Sequence, residues 1–542
     1  MNDFNKEYDL IVVGAGPGGL AAAVSAKRCG VSRILILERR DYGGGILPQC
    51  VHDGFGLYLY GQSLTGPEYA AKWMAQLKEL NIHLETGAMA LKILPSHEEA
   101  FHEEENRGQR ESTERTDSSK KKKWSVSYLC RREGLCQASA YGVVIATGCR
   151  EKTLAQLHIP GSRPAGIYTA GSAQYMMNIQ NYLPGKTAVI LGSGDIGLIM
   201  ARRMILEGIH VKLILGQKST GLVRNIVQCV EDFQIPMRYG WSVVSVHGYK
   251  RVKGVTIAPV HEDGQMDLLK KEYVPCDTLL VAAGLLPELE LCRDSGFLEE
   301  DAASLTVDEG LSVGVPGIFA CGNAVKIHDL ADSVSYEGQK CGVGAANYIL
   351  RQAWVPEDLK AQLDIKICEP KGSVTDKGEG AFQKGDKDSK DRKVICILCP
   401  LGCQITVKND AFKHGTIDLA CITGQGCEKG RDYAFSECKD PKRTVTTSVK
   451  VEGSLFPLLP VRTHIPISKS DIPAVMAAVK KYRCKAPVAI GEILIKNVGG
   501  THGNLIASAG ALVTHSAFPQ EASWEETLME GESMEKGEAY DF

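Results

Sequence analysis

The chain has 542 residues, too many for one hydrophobic core, and lengths of this order divide into about three or four domains. Apolar residues make up 44% and charged residues 23%, ordinary values for a soluble globular protein. The 62 Lys+Arg against 65 Asp+Glu leave a formal charge of −3, which excludes the basic surplus of a dedicated nucleic-acid binder. The 18 cysteines do not suggest a secreted disulfide scaffold, because the chain is long and its first residues pass straight into a strand with no signal-peptide apolar region. No run approaches the roughly 18 apolar residues of a membrane span, so no transmembrane segment is expected. A cytoplasmic setting with reduced thiols follows, and clustered cysteines read first as metal ligands or redox groups.

In chain order, a strand from Asp9 to Val13 runs into Gly14-Ala-Gly16-Pro-Gly18-Gly19. A small-residue helix from Leu20 to Cys29 follows, then a second apolar run from Arg33 to Glu38, together a βαβ unit. Residues 67 to 80 read as an amphipathic helix with Tyr69, Trp73, Leu77 and Leu80 along one stripe, and Thr65 with Glu68 makes a capping box ahead of it. Residues 96 to 123 have almost nothing to bury and read as a disordered, solvated insertion between two strands. Strands return at Trp124 to Leu129 and at Ala140 to Thr147. A second strand–turn–helix follows: Thr187 to Leu191, then Gly192-Ser-Gly194-Asp-Ile-Gly197, a helix to Glu207 and a strand from His210 to Leu215. A strand from Thr278 to Ala282, the run Ile318 to Asn323 and a helix from about Gly338 to Gln352 close this part. The domain bounds read 1–160 and 276–355 for the first fold, 161–275 for the second, 356–393 for a linker, 394–515 for a Cys-bearing module and 516–542 for an acidic tail. From Glu521 onward, that tail holds eight acidic side chains against one Lys.

A lone glycine fingerprint is a weak signal. Here Gly14, Gly16 and Gly19 follow a strand, open a helix and have Glu38 at the end of the next strand, which makes it a strong one. The glycines permit a tight turn and close approach of backbone to pyrophosphate, the helix N-terminus supplies N–H donors, and Glu38 would accept from ribose hydroxyls. Gly192, Gly194 and Gly197 repeat the arrangement, but the following strand ends without a carboxylate, and Lys218 stands either opposite a 2′-phosphate or in solvent. NADH and NADPH both stay open. The fold class is α/β, with two Rossmann-like dinucleotide-binding domains and a small C-terminal Cys-rich α+β domain.

The order of Gly14–Gly19, Ala146-Thr147-Gly148, Gly192–Gly197 and Gly317-Ile-Phe-Ala-Cys-Gly322-Asn323 resembles the two-dinucleotide flavoproteins of the pyridine nucleotide–disulfide oxidoreductase superfamily. The resemblance spans residues 5 to 350. It implies that Gly14, Gly16, Gly18, Gly19 and Glu38 hold the ADP half of FAD, that Thr147 and Gly148 lie near the flavin, and that Gly322 and Asn323 meet the ribityl–pyrophosphate. It also implies that the second fold, inserted in the first, takes NAD(P)H. Gly44 to Gly56, Leu64 to Tyr69, Arg224 to Cys229 and His328-Asp329-Leu330 are similar to the flavoprotein that accompanies glycerol-3-phosphate dehydrogenases in some anaerobic operons. Disulfide reductases of the superfamily carry a C-x4-C pair after the first βαβ unit, whereas residues 43 to 51 hold only Cys50. Cys50 reads as a buried structural thiol, a polar neighbour of the flavin or a redox-active group; His52 and His328 read as proton donors near the flavin or as hydrogen-bonded structural histidines.

In the C-terminal module Cys396, Cys399, Cys403 and Cys427 are spaced C-x2-C-x3-C-x23-C. Three ligands packed together and a remote fourth suit a [4Fe–4S] cluster better than zinc, which takes two short knuckles; zinc stays as the alternative. The stretch is similar to the [4Fe–4S] segment at the start of molybdopterin oxidoreductases and to the small Cys-rich protein of the same glycerol-3-phosphate operons. Cys421 and Cys438 read as spare thiols. The parts add up to an electron conduit between a nicotinamide nucleotide, FAD, a [4Fe–4S] cluster and a partner dehydrogenase subunit. The alternative is an NAD(P)H oxidase or peroxidase with a zinc-stapled docking domain. Nucleic acid is not an expected partner, and assembly as a homo-oligomer is left open.

Overall fold

The structure, a computed structural model, describes residues 5–96, 123–217, 221–351, 354–365, 391–408 and 421–513. Nearly all of the insertion expected over 96–123, Lys218, much of the linker 356–393 and the tail 516–542 lie outside the described residues. The chain forms two compact units, one of 1–48, 55–150 and 285–367, the other of 49–54, 151–284 and 368–542.

In the first unit five parallel strands lie in the order Ile318–Ala320, Gly142–Ile145, Leu10–Val13, Ile34–Glu38, His83–Thr86. The central strands are buried on both faces, which is why they read as unbroken apolar runs rather than as alternation. On one face the helix Pro17–Arg28 packs on the helix Ala331–Leu350 with backbones nearly touching. A Cβ at Gly338 would stand 2.2 Å from the Gly18 carbonyl oxygen, and one at Gly342 2.2 Å from that of Ala22. The other face carries a four-stranded sheet whose Trp124, Val126 and Tyr128 join Ile11, Val13, Leu35 and Leu37 in one core.

The helix Gly66–Glu79 has the expected capping box: Thr65 Oγ1 accepts from the Glu68 N–H, and Glu68 Oε2 accepts from the Thr65 N–H at 2.7 Å. Two other helices begin earlier than their apolar patterns suggest. The first starts at Pro17, where a proline costs nothing because that N–H has no helical partner. The second, Ala331–Leu350, starts seven residues ahead of the expected Gly338, because the Asp332 carboxylate is held inside by the N–H groups of Gly56 and Tyr58, each at 3.1 Å. The stretch read as linker from 356 is corrected in part: Glu357–Leu363 is a helix, and its Leu359 is fully buried in the first core.

In the second unit five parallel strands run Ile167–Thr169, Thr278–Val281, Thr187–Leu191, His210–Gly216, Met237–Tyr239. The boundary at 275 is therefore corrected. Thr278–Val281, expected in the first fold, pairs with Thr187–Leu191 and belongs to the second fold, which closes at Gly284. An antiparallel trio, Trp241–Gly248, Val252–Pro259 and Glu272–Pro275, covers one face of this sheet.

The C-terminal module carries a three-stranded sheet (Arg392–Ile395, Gln404–Val407, Ile422–Thr423), the helix Glu428–Lys439 and a five-stranded sheet centred on Leu458–Thr463. It does not stand apart from the nicotinamide-type fold. Leu206 of the helix Asp195–Glu207 is part of the module's own apolar core. Arg443, 4% exposed, holds Asp232 of the second fold (Nη2 to Oδ1, 3.1 Å) and Glu437 of the module (Nη1 to Oε2, 2.7 Å). Burial pulls the guanidinium's pKa down, but the two carboxylates outweigh it and raise it. Removing one member of a buried charge cluster strands the others. Arg443→Met is expected to cost about 3–5 kcal/mol, read as a lowered denaturation midpoint.

Candidate functional site

The first glycine turn is closed by backbone. Gly14, at φ +106°, donates its N–H to the Leu37 carbonyl at 2.8 Å, and a Cβ on Gly19 would stand 1.9 Å from the Gly14 oxygen. Around Gly16, by contrast, nothing lies within 4 Å of where a Cβ would be. That open space at the start of the helix Pro17–Arg28, beside N–H groups with no side-chain cap, could take a phosphate pair. Glu38 is 5% exposed, and its carboxylate accepts from Ala15 N and Arg40 N at 2.9 Å each. A carboxylate has room for about four hydrogen bonds, so capacity for ribose hydroxyls is left. These residues fit the ADP half of a dinucleotide.

Elsewhere in the first unit, Thr147 Oγ1 donates to the Glu288 carbonyl at 2.8 Å, and Gly148 sits at φ +77° with open space where a Cβ would go. Gly322, Asn323 and His328 form one network at the end of the strand Ile318–Ala320. Glu337 ties it together: its Oε1 accepts from the Gly322 N–H at 2.6 Å, and its Oε2 lies 3.0 Å from His328 Nε2. Asn323 Oδ1 accepts from the His328 N–H at 3.0 Å, and its amide nitrogen donates to Cys149 Sγ at 3.5 Å. Glu337 carries no sequence signal; it lies in a helix turn with no motif around it.

The second glycine turn repeats the first. Gly192, at φ +122°, donates to the Leu215 carbonyl at 2.7 Å, and a Cβ on Gly197 would stand 2.5 Å from the Gly192 oxygen. Gly194 caps the helix Asp195–Glu207 with no side-chain bond, which leaves first-turn N–H groups for phosphate. Asp195 turns aside to accept from Leu222 N at 2.7 Å and Asn225 Nδ2 at 2.9 Å.

Residues 49–54 belong to the second unit. Cys50 is 7% exposed with its Sγ 3.6 Å from Gln174 Oε1. His52 is partly covered, and its Nδ1 lies 3.3 Å from the Asp53 carbonyl. Burial, helped by the positive charges of Arg224 and Arg202, holds the ring down at about 4 against an ordinary 6.5, so the imidazole is neutral near pH 7. A depressed pKa stabilises the fold above 6.5 and withdraws that support as pH falls toward 4. The melting temperature of His52→Gln is therefore expected to fall less steeply than that of the parent between pH 7 and pH 4. Equal slopes would remove His52 from the acid limb.

The four module cysteines come from three elements. Cys396 ends the strand Arg392–Ile395 and donates its N–H to the Cys403 carbonyl at 2.9 Å, while Cys427 caps the helix Glu428–Lys439. Gly402 at φ +57° lets the intervening loop turn. Burial pushes the Cys396 thiol up to about 11, and the charges of Cys399, Cys403 and Cys427 push it the same way. Among the described residues no group of three or more His, Cys, Asp or Glu is drawn tightly enough to hold a metal ion as it stands. The donor set of four thiols is nonetheless the chemistry that soft metals and iron–sulfur clusters take.

Two glycine turns, each opening a helix from a parallel sheet, define a protein that holds two dinucleotides. Residues 8–338 match the family described as pyridine nucleotide-disulphide oxidoreductase. The chain belongs to that family and is an FAD-dependent pyridine nucleotide oxidoreductase. Residues 428–509 match a second family, described as protein of unknown function (DUF1667). The hydrogen cyanide synthase subunit HcnB of Pseudomonas protegens is 24% identical over 495 residues, covering 84% of this chain and 96% of the relative. Thioredoxin reductase of Ureaplasma parvum serovar 3 is 26% identical over 360 residues, 65% of this chain and all of the relative. The crystal structure of T. acidophilum thioredoxin reductase aligns with a TM-score of 0.48 and 21% identity, over 63% of this chain and 98% of that one. No helix among the described residues is long and apolar enough to cross a membrane.

Proposed function

We propose that this chain is an electron conduit joining a nicotinamide nucleotide, FAD, a [4Fe–4S] cluster and a partner dehydrogenase of the glycerol-3-phosphate type. The observation that carries it is the set of four thiols, Cys396, Cys399, Cys403 and Cys427, in a module locked by Arg443 to the second dinucleotide fold. FAD, when bound, exchanges electrons as pairs with nicotinamide and singly with a metal centre. Gly14, Gly16, Gly18, Gly19 and Glu38 would hold its ADP half, with Thr147, Gly148, Gly322 and Asn323 on the remainder. Gly192, Gly194 and Gly197 would take the nicotinamide nucleotide's pyrophosphate. The fused four-thiol module supports single-electron exit rather than a dithiol relay, since Cys50 has no neighbouring cysteine in its stretch. His52, neutral at pH 7, would serve as an acceptor or a positioning group, and His328 is poised by Glu337. A homologous relative named as a synthase subunit supports a partner chain here too.

The test is purification without oxygen followed by one cofactor inventory. About one FAD with about four iron and four sulfide per chain, bleaching when NADH or NADPH is added, is the expected result. About one zinc and no iron would overturn the conduit in favour of a docking module.

A further inference from the structure

The helix Asp195–Glu207 begins at the second glycine turn and carries two consecutive arginines, Arg202 and Arg203, each 6% exposed. Their surroundings differ. Arg203 is fully accounted for: Nε donates to Asn178 Oδ1 at 2.7 Å, Nη1 to Thr447 Oγ1 at 2.9 Å, Nη2 to Ser448 Oγ at 3.0 Å, and Glu207 balances its charge. Arg202 donates from Nη2 to the Thr444 carbonyl at 3.0 Å, while its buried Nε has no acceptor among the described residues. Among the described residues no carboxylate pairs with it.

A buried guanidinium without a counter-charge is costly, and the fold keeps one only where something offsets it. Arg202 lines a small, solvent-open cleft together with His52, Asn178, Asn225, Gln228 and Thr446. Of the acidic side chains nearby, Asp53 faces Arg224 at 4.0 Å, Glu207 faces Arg203, and Asp195 is held by Leu222 N and Asn225 Nδ2, so none of them pairs with Arg202. We propose that this cleft is a binding site for a small oxyanion, the phosphate or carboxylate end of a small molecule, held by Arg202. The planar guanidinium is the side chain best matched to either group. Thr444 and Thr446 belong to the C-terminal module, so the bound anion would also fasten that module to the nicotinamide-type fold. The site does not depend on what the four cysteines hold.

The experiment is thermal unfolding of the full flavin-loaded chain in rising potassium phosphate or potassium acetate, with potassium chloride keeping ionic strength constant. A saturable rise of about 2–4 °C is expected in phosphate, in acetate or in both. Phosphate alone identifies a phosphoryl ligand, acetate alone a carboxylate, and both an oxyanion site of broad choice. Arg202→Met, which removes the charge and keeps the bulk, is expected to melt no lower than the parent in chloride and to show no rise. Should Arg202→Met fail to fold, Arg202→Lys carries the test, with its saturation midpoint expected about tenfold higher. No rise in either salt, an equal rise in Arg202→Met, or an unmoved midpoint in Arg202→Lys overturns the proposal.

Discussion

Gly19→Ala is expected to yield a chain that loses its flavin and a large part of its stability, while Gly16→Ala loses flavin alone. The new methyl at 19 would stand 1.9 Å from the Gly14 oxygen and 3.1 Å from its carbonyl carbon, both rigid backbone. Gly14 cannot retreat: its N–H is bound to Leu37, and on its other side the Ala146 carbonyl already excludes a Cβ at 2.4 Å. The turn must open, pulling the helix Pro17–Arg28 off its sheet, at about 3 kcal/mol or more. At Gly16 a methyl meets no protein atom. It would fill only the space assigned to pyrophosphate, so the chain should fold as before and bind less than about a tenth of the parent's FAD. Flavin absorbance per chain and the denaturation midpoint, read together, separate the two effects. A Gly16→Ala protein isolated with its full flavin complement would show that the cradle lies elsewhere.

The contrast between those glycines shows what a sequence can carry. Both glycine turns, their helices and the Thr65–Glu68 capping box depend on residues within a few positions of one another, so spacing alone exposes them. Long-range pairing does not show. Thr278–Val281 looks like any buried strand, and only its pairing with Thr187–Leu191 assigns it to the second sheet. Glu337 reaches Gly322 across 15 residues and His328 across nine, with no pattern to mark it. The start of the helix Ala331–Leu350 does not show because Asp332, a residue that normally signals exposure, is buried by two backbone donors, Gly56 and Tyr58. One signal is local: Arg202 and Arg203 interrupt the apolar middle of the helix Asp195–Glu207. Two charges on the covered side of a helix need partners, and only the fold shows that Arg203 has Glu207 while Arg202 has a backbone carbonyl and no carboxylate.

Cys399→Ser is expected to drop iron from about four per chain to below one, with FAD content unchanged. A cluster of this type is held by four thiolates, and a hydroxyl replaces one poorly. The arrangement makes Cys399 the informative position. Cys396 is buried and its N–H anchors the Cys403 carbonyl, and Cys427 caps a helix, so changes at those sites also disturb backbone. Cys399 lies in the loop between them, half exposed, and its loss should leave the module folded. Cys438 provides the control: its thiol is raised by burial and feels Arg392 and Glu437, with none of the four cysteines among its charge neighbours. Cys438→Ser should keep its iron. Reduction of the flavin by nicotinamide needs no cluster, so NAD(P)H should bleach Cys399→Ser at the parent's rate, while electron delivery to a one-electron acceptor falls by more than about tenfold. If delivery is untouched while iron is gone, electrons leave from the flavin directly and the module is a dock. If iron was never there and zinc falls instead, the thiols are a structural staple, and the single-electron exit must be sought elsewhere in the chain.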